Sequence, residues 1–197
     1  NGDWSSDVCS SDLYYPMTVH IMNVGGGGVG KTSLILQWTK QQFQEEYVPT
    51  IEELLTKTVQ IDKKTYTVEI TDTAGQEEFS QMRWRYIGDN DGFLFVFSII
   101  EKQTLEQLKD LYKDVASTKG TNFHCVLAGN KADKKDEPEF KDKVVPLEDG
   151  TKLAKEMKCK YFETSAKTSQ NLHELFDELI RGVLKLNNGE GGCCNIF

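Results

Sequence analysis

Residues Gly25-Gly26-Gly27-Gly28-Val29-Gly30-Lys31-Thr32 fit the pattern G-x-x-x-x-G-K-[ST], and few strings of eight constrain a fold as tightly. Val19 to Val24 ahead of it reads as a strand, and Lys31 to about Gln41 behind it has helical apolar spacing. A chain that leaves a strand, turns through glycines and enters a helix points its backbone N–H groups into one concavity. The helix N-terminus adds its dipole there. Such a loop suits phosphate. Lys31 has the length to reach β- and γ-phosphates, and the Thr32 hydroxyl can ligate Mg²⁺. Residues 25–32 are therefore expected to bind a nucleoside triphosphate.

The rest of the chain supplies a sheet for this loop. Thr56–Ile61 and Thr65–Ile70 are β-branched runs joined by Asp62-Lys63-Lys64, a hairpin signal. Phe93–Ile99 is almost continuously apolar, as suits a strand buried on both faces of a parallel sheet. Cys125–Ala128 and Tyr161–Phe162 are shorter runs of the same kind. Between them, Leu105, Leu108, Leu111 and Val115 keep a helical period, as do Leu153, Ala154 and Met157. The last helix is marked by Leu172, Leu175, Phe176, Leu179, Ile180 and Val183. This alternation predicts an α/β domain with a mostly parallel sheet and helices on both sides. Ligands then bind where strand ends meet helix starts.

Two further sites fall at such strand ends. Asp72-Thr73-Ala74-Gly75-Gln76-Glu77 follows Ile70-Thr71. Asp72 can hold a metal opposite Thr32, Gly75 can offer its N–H to the γ-phosphate, and Gln76 sits where an amide orients attacking water. Asn130-Lys131-Ala132-Asp133 follows the run 125–129, and Ser165-Ala166-Lys167 follows 161–164. A carboxylate at Asp133 accepts from both the N1–H and the N2 amino group of guanine, a donor pair that adenine lacks. Asn130 and Lys131 would brace the pocket, and the Ala166 N–H could donate to the guanine O6.

Composition removes other classes. The 197 residues suit one domain, and 23 Lys+Arg against 31 Asp+Glu give a net charge of −8. An acidic chain without a basic block is a poor nucleic-acid binder. The apolar run at 93–100 is far short of the roughly 20 residues that span a membrane. Five cysteines at 9, 125, 159, 193 and 194 have no zinc or disulfide-framework spacing, which suits reduced thiols in the cytosol. Residues 1–16 look unlike the rest: Ser5-Ser6-Asp7 recurs as Ser10-Ser11-Asp12, and the stretch lacks the pattern of a secretory signal. It is expected to be a non-native or disordered extension, resembling a translated sequencing-library adapter, with Met17 a plausible native start.

The phosphate loop, DTAGQE, NKAD and SAK, in this order and spacing, resemble a small GTPase. The segment Tyr47-Val48-Pro49-Thr50-Ile51-Glu52-Glu53 and the C-terminus are most similar to the Ras family. The resemblance covers about residues 17–186 and the last four. It implies a P-loop G domain whose six-stranded sheet is flanked by five helices, with two switch segments near 44–53 and 74–90. It implies Mg²⁺ as cofactor and GTP or GDP as ligand. Thr50 would ligate the metal and contact the γ-phosphate in the GTP state alone, beside Thr32 and Asp72. Tyr47 would close over the phosphates, Phe43 would pack across the guanine, and Ser33 would join the nucleotide contacts. Gly27 leaves room for Gln76 and an activator's arginine, which is compatible with hydrolysis. The implied catalytic set is Gln76, Lys31 and Gly75. An activating protein, an exchange factor and effectors would bind through residues 44–55 and 74–90.

Departures from the family pattern are Val48 where Asp is usual, Leu54-Leu55 where Ser-Tyr is usual, Phe79 where Tyr is common, and Asn23 where an apolar residue is usual. The first three positions are expected on the partner-facing surface; nothing in the sequence explains Asn23. Trp84 reads equally as a partner anchor or as a packing residue. The tail 187–197 is polar and glycine-rich before Cys193 and the terminal Cys194-Asn195-Ile196-Phe197, a C-a-a-X box whose Phe points to geranylgeranyl. Cys194 would be prenylated and Cys193 a site for palmitate. The expectation is a lipid-anchored switch on the cytoplasmic face of a cellular membrane, the plasma membrane being the one expected, which hydrolyses GTP to GDP and phosphate. Its rivals are a GTP-binding module without useful hydrolysis, which Gln76 and Gly27 speak against, and a P-loop kinase, which lacks a lid of arginines.

Overall fold

A computed structural model describes residues 17–43, 52–73 and 86–189. Strand β1 (Met17–Val24) leads into α1 (Lys31–Lys40), then β2 (Glu52–Ile61), β3 (Lys64–Thr73) and β4 (Gly92–Ser98). Helix α2 (Lys102–Lys119), β5 (His124–Asn130), α3 (Leu147–Glu156), β6 (Lys160–Glu163) and α4 (Leu172–Asn187) complete the order, with a short 3₁₀ turn at Ala132–Lys134. The six strands form one sheet in the order β2-β3-β1-β4-β5-β6. All neighbours are parallel except β2 and β3. The predicted α/β fold is what forms. Four helices lie among the described residues, beside the five expected, and Tyr86 and Ile87 are also helical.

The period of each segment decides which face it serves. Val19 and Ile21 of β1 stand beside Val68 and Ile70 of β3 in register, and these join Leu94, Val96, Val126 and Ala128 on one face of the sheet. Helices α1 and α4 cover that face with Leu34, Ile35 and Trp38 and with Leu175, Phe176, Leu179, Ile180 and Val183. The opposite face carries Met22, Val24, Phe93, Phe95, Phe97 and Leu127 beneath Leu105, Leu108 and Val115 of α2 and Leu153 and Ala154 of α3. Every residue of β4 is buried, because the strand is central and covered on both sides.

Two sequence expectations need correction here. The hairpin connection is Asp62-Lys63 alone, since Lys64 already pairs with Ile61. Both turn residues have positive φ, 49° and 65°, the primed turn that matches the right-handed twist of the strands. Leu54 and Leu55 do not share the surface: Leu54 is exposed, whereas Leu55 is buried in the cluster beneath α1 and α4. Successive strand residues face opposite ways, so only one of the pair can meet a partner.

The ring of Trp38 stacks on Phe176 with centroids 4.2 Å apart. Lys57 of β2 places its Nζ 4.2 Å from the centre of the Trp38 ring and donates to the Trp38 carbonyl oxygen at 2.5 Å. This stack ties the last turn of α1 to α4 and the core. Phe176→Ala should lower the unfolding free energy by about 3–5 kcal/mol, the cost of a large buried aromatic and its cavity; urea titration of the nucleotide-loaded protein would measure it.

Candidate functional site

The motif residues among those described gather at one edge of the sheet, at the C-terminal ends of β1, β3, β5 and β6. Gly25 to Gly30 turn from β1 into α1. Gly28 and Gly30 hold φ of +70° and +91°, a left-handed region that side chains disfavour. Gly30 is constrained twice, since a Cβ there would lie 2.4 Å from Asn130 Nδ2. A Cβ on Gly25 would lie 2.3 Å from the Val96 carbonyl oxygen. Gly27 and Gly28 are exposed and Val29 is buried, so the loop has an open rim and a fixed base. Lys31, at 6% exposure, folds over this loop and donates to the carbonyl oxygens of Gly25 at 3.1 Å and Gly26 at 2.8 Å.

Thr32, in the first turn of α1, donates through Oγ1 to Oδ2 of Asp72 at 2.5 Å. Ser33 is half-buried beside it. Asp72 lies at the end of β3, where Asn23 is its partner in the β1 register, and Asn23 Nδ2 donates to Asp72 Oδ1 at 3.5 Å. Burial raises the Asp72 carboxyl above its ordinary range, against the lowering from the Thr32 hydrogen bond, the Lys31 charge and the Asn23 amide. This corner fits Mg²⁺ by its donors. A hydroxyl with one proton can donate to a carboxylate while its lone pairs face a cation, and all the acceptors are hard oxygens. No cluster of three or more His, Cys, Asp or Glu occurs among the described residues, and Mg²⁺ beside phosphates needs none.

Asn130, at the end of β5, joins two loops. Its Nδ2 donates to the Val29 carbonyl oxygen at 2.9 Å, and its Oδ1 accepts from the Ala166 N–H at 3.3 Å. The Ala166 donor that the sequence reading assigned to guanine is thus engaged within the protein. Lys131 has φ of +69°, which turns the chain sharply after β5, and burial lowers its ammonium below the usual range. The Ala132 N–H donates to the Thr164 carbonyl oxygen at 2.9 Å, docking the loop on the end of β6. Ser165 Oγ donates to Asp133 Oδ1 at 2.6 Å and accepts from the Thr168 N–H at 3.1 Å. Lys167 beside it is exposed.

All four segments are therefore physically joined through their described residues: Thr32 to Asp72, loop 25–30 to Asn130, Asn130 to Ala166, and Asp133 to Ser165. Phe43 lies past the end of α1 and is 37% exposed, so it is no core residue of that helix. Tyr47, Thr50, Gly75, Gln76, Val48, Phe79, Trp84, Cys193 and Cys194 lie outside the described residues, as do residues 1–16 and 190–197. Sequence reasoning missed the tie from Asn130 to Val29, which joins residues 101 positions apart. It also left Asn23 without a role, although a lone amide in an apolar strand was the available signal.

A glycine loop between β1 and α1, with a buried lysine and a threonine–aspartate pair at its mouth, defines a P-loop nucleotide-binding protein. The family model described as Ras family matches residues 20–185. The chain is 43% identical over 165 residues to Ras-like protein rasC of Dictyostelium discoideum, covering 83% of this chain and 85% of that one. It is 42% identical over 164 residues to Ras-like protein 1 of Saccharomyces cerevisiae, covering 83% of this chain and 52% of the longer relative. With Ras-like protein 2 of Mucor circinelloides f. lusitanicus it shares 39% over 164 residues, 83% of this chain and 80% of that one. The chain belongs to the Ras family and is a small GTPase, a guanine-nucleotide switch that hydrolyses GTP.

The bridge through Asn130 has a measurable value. Asn130→Ala leaves the Val29 carbonyl and the Ala166 N–H without that partner, at about 1–3 kcal/mol for each buried group. Asn130→Asp keeps the acceptor but sets a buried carboxylate oxygen against the Val29 carbonyl oxygen, so urea denaturation near neutral pH should show it at least as destabilised as Asn130→Ala.

Proposed function

We propose that the protein cycles between GTP and GDP with the residues assembled at this sheet edge, and that it signals from a membrane surface to which its tail is attached. The observation that carries the nucleotide assignment is the joined pair of loops, in which Asn130 holds the phosphate loop while Ser165 holds Asp133. With one carboxylate oxygen held by a hydroxyl, Asp133 has a defined orientation toward the N1–H and N2 donors of guanine. Gly25–Gly30 and Val29 present backbone N–H groups to the phosphates, with Lys31, Thr32 and Ser33 continuing into α1. Phe43 and Tyr47 flank the nucleotide, and Lys131, Ala166 and Lys167 line the base loops. Thr32, Thr50 and Asp72 would hold Mg²⁺, which when bound would offset phosphate charge.

Hydrolysis on this reading is in-line attack by water on the γ-phosphate. Lys31 and the loop N–H groups stabilise the charge that develops on the phosphoryl oxygens, and Gly75 adds its N–H. Gln76 orients the water, so no strong general base is required. Regulators and effectors bind through residues 44–55 and 74–90, where Leu54 supplies an exposed apolar side chain on the edge strand β2.

Attachment to the membrane rests on the tail. No helix among the described residues is long and apolar enough to cross a membrane. Arg181, a cation on the last helix, is engaged with Asp177 and Asp62 at 2.8 Å each, so it adds nothing to a basic membrane patch. A prenyl group on Cys194, with palmitate on Cys193 as the second signal, answers the need for two anchors.

Asp133→Asn tests the nucleotide site. GTP affinity should fall by about 1.5–3 kcal/mol, roughly tenfold to a hundredfold, with a gain for XTP; titration with fluorescent nucleotides showing unchanged GTP affinity would remove Asp133 from the pocket. Cys194→Ser tests the anchor. The parent protein from a eukaryotic host should sediment with membranes and carry a prenyl mass, and the variant should be found in the soluble fraction. An intact, unmodified Asn195-Ile196-Phe197 terminus on the parent would overturn the membrane reading.

A further inference from the structure

Asn23 is fully buried in the C-terminal half of β1, and it breaks an otherwise apolar ladder. The register pairs Val19 with Val68, Ile21 with Ile70, and then Asn23 with Asp72. On its other side Asn23 stands beside Leu94 of β4. Its Nδ2 donates to Asp72 Oδ1 at 3.5 Å, whereas Thr32 donates to Asp72 Oδ2 at 2.5 Å. The two carboxylate oxygens therefore answer to two different elements, β1 and α1. Thr73 Oγ1 donates to the Asn23 backbone oxygen at 2.8 Å, which secures the strand at the same level.

The amide's orientation follows from its neighbour. A carboxylate accepts and does not donate, so the NH₂ must face Asp72; turning the group over would set two oxygens together. The Asn23 Oδ1 then has no hydrogen-bond partner among the described residues. A buried acceptor without a partner costs stability. Asn23 Oδ1 is thus a cost to the fold, and the side-chain hydrogen bond that Asn23 makes among the described residues is to Asp72.

We propose that Asn23 is a positioning residue for Asp72, holding the carboxylate plane so that Mg²⁺ bound with Thr32 and Asp72 retains the nucleotide more firmly. The proposal rests on the assignment of Asp72 to the Mg²⁺ site made above. Asn23 touches neither nucleotide nor metal; it acts by restricting the rotation of Asp72. With an apolar residue in its place, the carboxylate keeps the Thr32 hydrogen bond and loses the one on Oδ1, and Asp72 spends part of its time turned away.

The test is the Mg²⁺ dependence of GDP release, followed with a fluorescent GDP in the full chain across free Mg²⁺ from micromolar to ten millimolar. Asn23→Val and Asn23→Leu remove the amide while remaining apolar strand residues, and Asp72→Ala probes the underlying assignment. In both Asn23 variants the Mg²⁺ concentration that halves the release rate should rise about threefold to tenfold. Their release rates with excess chelator should stay within twofold of the parent, even though the thermal unfolding midpoint falls by a few degrees as the buried Asp72 Oδ1 loses a partner. That separation is the signature of positioning, since a purely structural role would speed release with chelator as well. If Asp72→Ala leaves the Mg²⁺ dependence unchanged, the metal assignment fails. If Asp72→Ala abolishes it while either folded Asn23 variant matches the parent, Asn23 is no positioning residue and this inference fails alone.

Discussion

The amide of Asn130 is the contact on which the site's assembly depends. One side chain at the end of β5 reaches the loop after β1 through Val29 and the loop after β6 through Ala166. Both of its polar atoms are spent within the protein, in a buried setting where hydrogen bonds are strong and unpaired groups costly. The phosphate loop and the base loops are thereby held as one body before any ligand arrives. Preorganisation of this kind reduces the ordering that binding must impose. Gly30 records the closeness of the fit, since its missing side chain is the space that Asn130 occupies.

Much of this arrangement was legible in the chain. The glycine loop, DTAGQE, NKAD and SAK fall at strand ends because a parallel sheet places its ligand edge there. The near-continuous apolar run of β4 marked a central strand, and the spacing of Leu172 to Val183 marked α4. Less was legible where tertiary context decides. The first four residues of β2, Glu52–Leu55, have no clear alternation, and their pairing with Ile70 to Thr73 extends the hairpin. The turn at Asp62-Lys63 lacks the glycine that announces a primed turn, so its length was overestimated by one residue. Asp133 was read as a base contact, but its bond to Ser165, 32 residues away, had no local signal.

The sheet also shows how polarity is graded along a strand. One face of β1 and β3 is apolar at Val19, Ile21, Val68 and Ile70, and the strands become polar toward the site, where Asn23, Thr71, Asp72 and Thr73 are all buried. Each of these groups would be costly in an apolar core. Here Asn23, Asp72 and Thr73 bond to one another and to Thr32, which meets most of the cost locally and leaves the Asn23 Oδ1 as the exception. Trp38, Phe176 and Lys57 close the far end of the same layer and keep α1 seated. The site can therefore be polar and fixed while the domain remains conventionally packed.

The order in which the site's parts appear along the chain has a consequence for biosynthesis. The phosphate loop emerges early, yet Ser165 and Ala166, which complete the clasp on Asp133 and Asn130, are among the last residues before α4. A nascent chain that ends just after β5 carries the glycine loop and Asn130 but has no partner for Asn130 Oδ1 from residue 166. A ligand stabilises only the state that binds it. Guanine nucleotide can thus reward the chain for folding only when nearly all of the domain has left the ribosome, which makes nucleotide capture a late checkpoint on completeness.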